Sequence, residues 1–86
     1  MPEYLIVFAR SAAKELEKLN EPLSSRILAR IESLSSTPRP SGCRKLQAAE
    51  ALWRIRIGDY RVLYAIDDHR QLVDIIAIRR RRDAYD

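Results

Sequence analysis

The chain has 86 residues, with two glycines, four prolines, one cysteine and a formal net charge of +4. This length excludes two full domains, and 47% hydrophobic with 33% charged residues excludes a disordered or low-complexity chain. The lone Cys43 excludes an intramolecular disulfide, and no segment approaches membrane-spanning length, so we expect one domain in the reducing cytoplasm with no membrane partner.

The first half of the chain predicts a strand followed by a helical hairpin. Residues 4–9 form a short β-branched and aromatic run, which suits a buried strand. Ser11 is placed to cap a helix over about residues 12–20. Pro22 suits the first turn of a second helix. The apolar stripes of the two helices consist of Ala12, Leu16 and Leu19, and of Leu23, Ile27, Leu28, Ile31 and Leu34.

The second half predicts a β-meander after a loop that contains Pro38, Pro40 and Gly42. Residues 43–47 suit a short edge strand, and the longer strands are expected at 52–57, 60–66 and 71–78. The predicted fold class is α+β, in the order β-α-α-β-β-β. Three or four mostly antiparallel strands follow the first strand and the helical hairpin, the helices cover one face of the sheet, and a short C-terminal helical turn ends the chain.

The hairpin centred on Gly58 and Asp59 gathers arginines on one face. A two-residue turn there pairs Arg56 with Arg61. Because side chains alternate along a strand, the other face is apolar and should bury against the helices; its members are Trp53, Ile55, Ile57, Tyr60, Val62 and Tyr64. The basic face carries Arg54, Arg56 and Arg61.

Two like charges directly opposite each other on a sheet are unfavourable, by roughly some tenths of a kcal/mol. The Arg56–Arg61 pair therefore indicates a site for an anion, such as a phosphate whose charge grows during phosphoryl transfer. The alternative is that the long side chains spread into water, with Asp74 on the next strand as a partner.

The last eight residues, RRRRDAYD, begin with four arginines. Such a run alone is commonly a solvated tail, but beside a basic face it indicates contact with an anion. In a helical turn, Arg81 and Tyr85 would share a face and could hold a phosphate and stack a base. The whole +4 charge falls in residues 39–86, and arginine outnumbers lysine thirteen to three. This bias is typical of a protein that binds nucleic acid or an acidic partner, and a merely soluble basic surface is the alternative that stays open on charge alone.

Other chemistry-bearing side chains are few. His69 falls in a predicted exposed turn, and Cys43 suits a half-buried apolar position. The sequence contains no glycine-rich phosphate loop, metal-ligand cluster or Ser/His/Asp set. We therefore expect no cofactor and no metal.

Three stretches resemble the RelE family of bacterial toxins, within the wider RelE/ParE group. They are PRP.G..KL at 38–46, LWRIRIGDYRVLYAID at 52–67, and the RRxxxY pattern that ends at Tyr85. The resemblance runs nearly end to end and implies a single RelE-like toxin domain over residues 1–86. It also implies a ribosome-dependent mRNA endonuclease that uses the 2′-hydroxyl of the message as nucleophile, without metal, and so inhibits translation and growth.

The resemblance implies a role for each matching residue. The implied catalytic residues are Arg54, Arg56, Arg61, Arg81 and Tyr85. Arg61 would bind the scissile phosphate, Arg81 would assist the leaving oxygen, and Tyr85 would stack on or orient a message base. The expected RNA-binding residues are Arg44, Lys45, Arg79, Arg80 and Arg82.

Two departures from the family pattern concern proton transfer. Relatives often carry lysine where this chain has Arg54 and Arg56, and many have histidine or lysine at the position of Arg80. Arginine does not release a proton in proteins, so no general base is assigned and a slower enzyme is expected. Two rival functions stay open: a ParE-like toxin that binds and poisons DNA gyrase without catalysis, and a decayed toxin that binds only antitoxin and RNA.

The resemblance implies three kinds of partner. The first is an acidic RelB-type antitoxin, whose helix or extended tail covers the basic face or displaces the C-terminal segment. The second is the 70S ribosome with message in the decoding site. The third is operator DNA, bound by the toxin–antitoxin complex.

Overall fold

The structure, a computed structural model, describes residues 3–46 and 52–80. Within these ranges the chain forms five strands and two helices. In chain order they are β1 (Leu5–Phe8), α1 (Arg10–Glu17), α2 (Leu23–Ser33), β2 (Arg44–Lys45), β3 (Leu52–Ile57), β4 (Tyr60–Asp67) and β5 (Leu72–Arg80). The predicted α+β class and element order are confirmed. The predicted C-terminal helical turn lies outside the described residues.

The strands form one mixed sheet in the order β1-β5-β4-β3-β2. Strands β2 to β5 pair antiparallel, while β1 joins the outer side of β5 in parallel. The prediction of a buried first strand is wrong, because β1 is an edge strand and Leu5 is 63% exposed. The short strand predicted near Cys43 is present as β2, at the opposite edge.

Both helices pack on one face of the sheet. The core combines Ile27, Ile31 and Leu34 from the α2 region with apolar residues of β3, β4 and β5; the latter include Ile55, Ile57, Val62, Tyr64, Val73 and Ile75. The predicted apolar hairpin face is therefore confirmed, and so are the predicted helical stripes except for Leu28, which does not belong to the core cluster. In the described part of the chain no helix has the length and apolar character needed to cross a membrane.

Helix α1 starts earlier than predicted. It begins at Arg10, after Ala9, and no side chain caps it, so the prediction that Ser11 is the cap is wrong. The backbone N–H of Ala9 donates instead to the carbonyl of Ile75 on β5, at 2.8 Å. This tertiary hydrogen bond sets the point where the chain turns from β1 into the helix.

Candidate nucleic-acid interface

The β3–β4 hairpin has the predicted register. Ile57 pairs with Tyr60, and Arg56 therefore lies directly across from Arg61. Gly58 takes a φ of +58° in the turn, a left-handed conformation that glycine adopts without a side-chain clash. The predicted Arg56–Arg61 pair is confirmed.

Burial differs among the three hairpin arginines. Arg54 is 5% exposed and Arg61 is 3% exposed, whereas Arg56 is exposed. The alternative prediction that these side chains spread into water is therefore wrong for Arg54 and Arg61. Each of the three takes part in at least one hydrogen bond, ring contact or electrostatic interaction. Burial removes much of the water around a guanidinium and holds it in place. Arg54 and Arg61 therefore place fixed positive charges within the sheet, where water screens them less than it screens charges at the surface.

The neighbouring strands extend the set of arginines. Strand β5 places Arg79 across from Arg61, so Arg56, Arg61 and Arg79 form one row over three strands. Strand β2 places Arg44 across from Arg54 in the next row. We call these five residues the arginine face. By strand alternation, they lie on the side of the sheet opposite the helices.

Two of the other predicted RNA-binding residues, Lys45 and Arg80, do not join the arginine face. Lys45 pairs with Trp53, and Arg80 pairs with Tyr60, so both belong to the helix side of the sheet. The other predicted residues, Arg81, Arg82 and Tyr85, lie outside the described residues.

Asp74, the predicted anionic partner of the hairpin arginines, sits farther along the sheet. It pairs with Ala65 of β4, four residues beyond Arg61. At a strand rise of about 3.3 Å per residue, this places it about 13 Å along the sheet from Arg61. A shift in register between Leu63 and Tyr64 lies between the two positions. Asp74 is therefore not the neighbour of the Arg56–Arg61 pair.

A group of polar contacts that the sequence did not predict holds the loop before β2. The Arg39 guanidinium binds both carboxylate oxygens of Asp68, at 3.2 and 2.8 Å, and lies 5.0 Å from the centre of the Trp53 ring. The Tyr4 hydroxyl donates to the same carboxylate. The hydrogen bonds from Arg39 and Tyr4 lower the pKa of Asp68. These contacts join Tyr4, just ahead of β1, to the loop, β3 and the β4–β5 turn.

Tyr64 adds a second attachment for this loop, from inside the core. Its side chain is fully buried, and its hydroxyl donates to the Pro38 carbonyl at 2.8 Å. Burial, together with the neighbouring Cys43, raises the pKa of Tyr64 well above the usual range. Cys43 is half-buried and packs against the core, and His69 is exposed in the β4–β5 turn, both as predicted.

The chemistry open to the arginine face is binding and charge neutralisation. The exposed guanidinium groups of the arginine face can hold phosphate oxygens, and all five oppose negative charge as it develops. A guanidinium does not act as a general base, because it stays protonated in proteins. Among residues 3–46 and 52–80, no three histidine, cysteine or acidic side chains are grouped so that they could hold a metal ion.

A mixed sheet with a helical hairpin on one side is a fold found in the toxins of toxin–antitoxin complexes. Residues 6–85 match the family profile described as the ParE toxin of the type II toxin–antitoxin system parDE. The chain belongs to this family.

The relatives that match this chain include RelE toxins. It is 35% identical to Toxin RelE of Mycobacterium tuberculosis over 83 residues, which cover 95% of this chain and 86% of that protein. The RelBE2 toxin–antitoxin complex of the same organism contains a chain with 28% identity and a TM-score of 0.79, covering 92% of this chain and 99% of that one. The archaeal RelE–RelB complex from Pyrococcus horikoshii OT3 contains a chain that is 27% identical to this one, with a TM-score of 0.82. The match covers 94% of this chain and 98% of that one. The protein is thus a RelE/ParE-like toxin.

Proposed function

We propose that this toxin is an mRNA interferase, an endoribonuclease that cuts messenger RNA in the decoding site of the ribosome. The observation that carries the proposal is the row in which Arg61, almost fully buried, lies between Arg56 and Arg79. Fixed positive charge of this kind stabilises a phosphoryl-transfer transition state, in which negative charge grows on the phosphate oxygens. The 35% identity to Toxin RelE supports the same assignment.

The reaction that we assign is an internal phosphoryl transfer within the message. The 2′-hydroxyl gives up its proton to water and attacks the adjacent phosphorus, while the bond from phosphorus to the 5′-oxygen breaks and a 2′,3′-cyclic phosphate is left. The 5′-oxygen then takes up a proton from water, and we assign neither a metal nor a cofactor to the step. Arg61 would bind the scissile phosphate, and Arg54 and Arg56 would add positive potential beside it. Arg81 would assist the leaving oxygen, and Tyr85 would stack on a message base.

This chain differs from the lysine-bearing relatives that it resembles in the groups available for proton transfer. Arg54 and Arg56 can hold a phosphate, but neither can accept the proton of the 2′-hydroxyl. General acid–base catalysis typically contributes about 10²–10⁴-fold to a rate. We therefore propose that the enzyme depends mainly on positioning and charge neutralisation and turns over more slowly than those relatives.

Binding to the ribosome would rest on phosphate contacts. Arg44 and Arg79, at the margins of the arginine face, are suited to hold RNA phosphates on either side of the cut. Contacts of this kind make binding fall steeply as the salt concentration rises. The activity would take place in the cytoplasm, where messages are translated.

We also propose that an acidic antitoxin of the RelB type inhibits the toxin. The toxin chains of the M. tuberculosis and P. horikoshii structures were solved in complex with an antitoxin. An acidic segment over the arginine face would neutralise its charge and block the RNA. Co-expression with the neighbouring open reading frame, followed by a pulldown, tests this. A neutral or basic partner that docks on the helices alone would contradict the proposal.

The toxin–antitoxin complex would also bind operator DNA.

Toeprinting in a purified translation system tests the proposed activity. Wild type should cut message on ribosomes, and Arg61→Ala should lower the cutting rate by about 10²–10³-fold, the typical effect of removing one charge-stabilising donor. Arg81→Ala tests the predicted role of a residue outside the described ranges. Arg26→Ala removes an exposed arginine from α2 on the far side of the sheet and serves as the matched control. Intact message at saturating wild-type toxin would falsify the enzymatic proposal.

The rival function is a ParE-like toxin that binds and poisons DNA gyrase, and the ParE name of the matching profile is the observation in its favour. It predicts induction of DNA damage with translation unaffected. A decayed toxin would bind antitoxin and RNA but would not arrest growth when expressed alone. Expression without the partner gene, followed by assays of translation and DNA damage, separates the three functions.

A further inference from the structure

Arg79 belongs to the arginine face by register but contacts a carboxylate at the edge of the sheet. Its Cα lies across from Arg61 on the neighbouring strand. Its Nε, however, is 3.5 Å from Oε2 of Glu15 on α1. The side chain of Arg79 is half-exposed and that of Glu15 is partly buried. Arg79 is therefore drawn toward the outer edge of β5 rather than across the row toward Arg61.

Glu15 is anchored by the backbone of β5. Its Oε1 accepts a hydrogen bond from the N–H of Ile78 at 2.8 Å. Strand β1 pairs with β5 only from Leu72 to Ile75, so Ile78 lies beyond the last residue that β1 reaches. The carboxylate thus bonds to the strand edge where a further strand would otherwise pair, and its position is set by the fold independently of Arg79.

The Glu15–Arg79 ion pair has an electrostatic consequence for the arginine row. Arg56 and Arg61 already face each other, and a third guanidinium turned inward would add to the repulsion in the free protein. A half-exposed ion pair contributes little stability and is easily exchanged, so a phosphate near Arg61 can compete with Glu15 for Arg79.

We propose that Glu15 is a positioning residue that holds Arg79 at the sheet edge and releases it to an RNA phosphate when the message binds. This inference rests on the proposed function, because it takes RNA as the ligand of the arginine face. It adds a carboxylate on α1 that sets how many arginines engage the RNA.

Glu15→Gln tests the inference by changing charge alone. The glutamine amide oxygen can still accept the Ile78 N–H, while the ion pair with Arg79 is lost. Fluorescence anisotropy with a labelled single-stranded RNA oligonucleotide should show binding about two- to fivefold tighter than wild type, in line with the strength of an exposed ion pair. The slope of log affinity against log salt should steepen by up to about 0.7, because one more phosphate is engaged.

Glu17→Gln is the matched control, since it makes the same charge change at an exposed position on another side of α1. A double-mutant cycle isolates the pair, because the gain from Glu15→Gln over Glu17→Gln should vanish in an Arg79→Ala background. Equal effects of the two glutamine variants, or a gain that persists without Arg79, would overturn the inference.

A measurement on the wild-type chain covers the case in which the variants fold poorly. The ¹⁵N chemical shift of the Arg79 Nε–Hε group should change when the oligonucleotide is added, because its partner changes from carboxylate to phosphate. An unchanged shift in the bound state would overturn the inference. Neither binding measurement depends on cleavage. Intact message in the toeprinting assay would therefore count against the proposed function. The comparison of Glu15→Gln with wild type in RNA binding would still test the inference.

Discussion

Arg56 and Arg61 are directly opposed across the β3–β4 hairpin, the first exposed and the second 3% exposed. A pair of like charges in this position disfavours folding slightly, and a bound anion removes the penalty. We therefore expect the pair to couple the stability of the domain to anion binding.

We expect phosphate or sulfate to raise the melting temperature of the free toxin, since a ligand that binds only the folded state stabilises it. Without these anions, the free energy of unfolding of Arg56→Gln should exceed that of wild type by roughly some tenths of a kcal/mol. The melting temperature of the variant should also rise less than that of wild type when the anions are added. Differential scanning calorimetry in chloride and in sulfate at equal ionic strength measures both effects. Equal gains in wild type and variant would contradict the prediction.

The substitution Arg54→Lys should supply the general base that this chain lacks. Arg54 is 5% exposed, so an ammonium there would be desolvated and its pKa lowered toward neutrality. Arg56→Lys places the same group at an exposed position and serves as control. We expect Arg54→Lys to increase single-turnover cutting at least about tenfold, with a rate that rises with pH. Equal pH profiles for the two variants would count against this role of burial.

The Arg39–Asp68 pair predicts a loss of stability in acid. Hydrogen bonds from Arg39 and Tyr4 lower the pKa of Asp68 in the folded state, so the unfolded chain takes up the proton first as the pH falls. This contribution is complete above the ordinary aspartate pKa of about 3.9 and is lost as the pH falls through the lower folded value. Asp68→Asn should be less stable at neutral pH and should lose less stability on acidification. Chemical denaturation at several pH values measures this, with Asp67→Asn as control.

Tyr64→Phe tests the attachment of the loop to the core. The variant loses the hydrogen bond to the Pro38 carbonyl, and we expect it to cost about 1 kcal/mol, or about 4–8 °C in melting temperature. Because burial raises the pKa of Tyr64, the wild type should also lose stability as the pH rises above about 10, and the variant should lose less. Parallel alkaline unfolding curves for the two proteins would contradict the assignment.

The sequence predicted the features that depend on local rules. Gly58 and Asp59 specify a two-residue turn, and strand alternation then determines which side chains share a face. The opposed pair Arg56–Arg61 and the apolar face with Ile55 and Val62 followed from this reasoning, and both are present. The helical stripes were predictable for the same reason, because a period of 3.6 residues can be read over a short window.

Contacts between distant segments were not predictable, because packing decides them. Arg39 and Asp68 are 29 residues apart, and Glu15 and Ile78 are 63 apart, with no shared spacing that would link them. The edge position of β1 and the start of α1 at Arg10 likewise depend on where the first strand docks against β5.

For this protein, the sequence alone determined the hairpin, its two faces and the resemblance to RelE, because turn chemistry and alternation act between near neighbours. The tertiary structure decided which arginines are buried and which strands bring Arg44 and Arg79 beside them. It also decided that a carboxylate on α1 reaches Arg79. These features arise only when β5 packs between β1 and β4 under α1, since burial and ion pairing depend on the groups that the whole fold brings together.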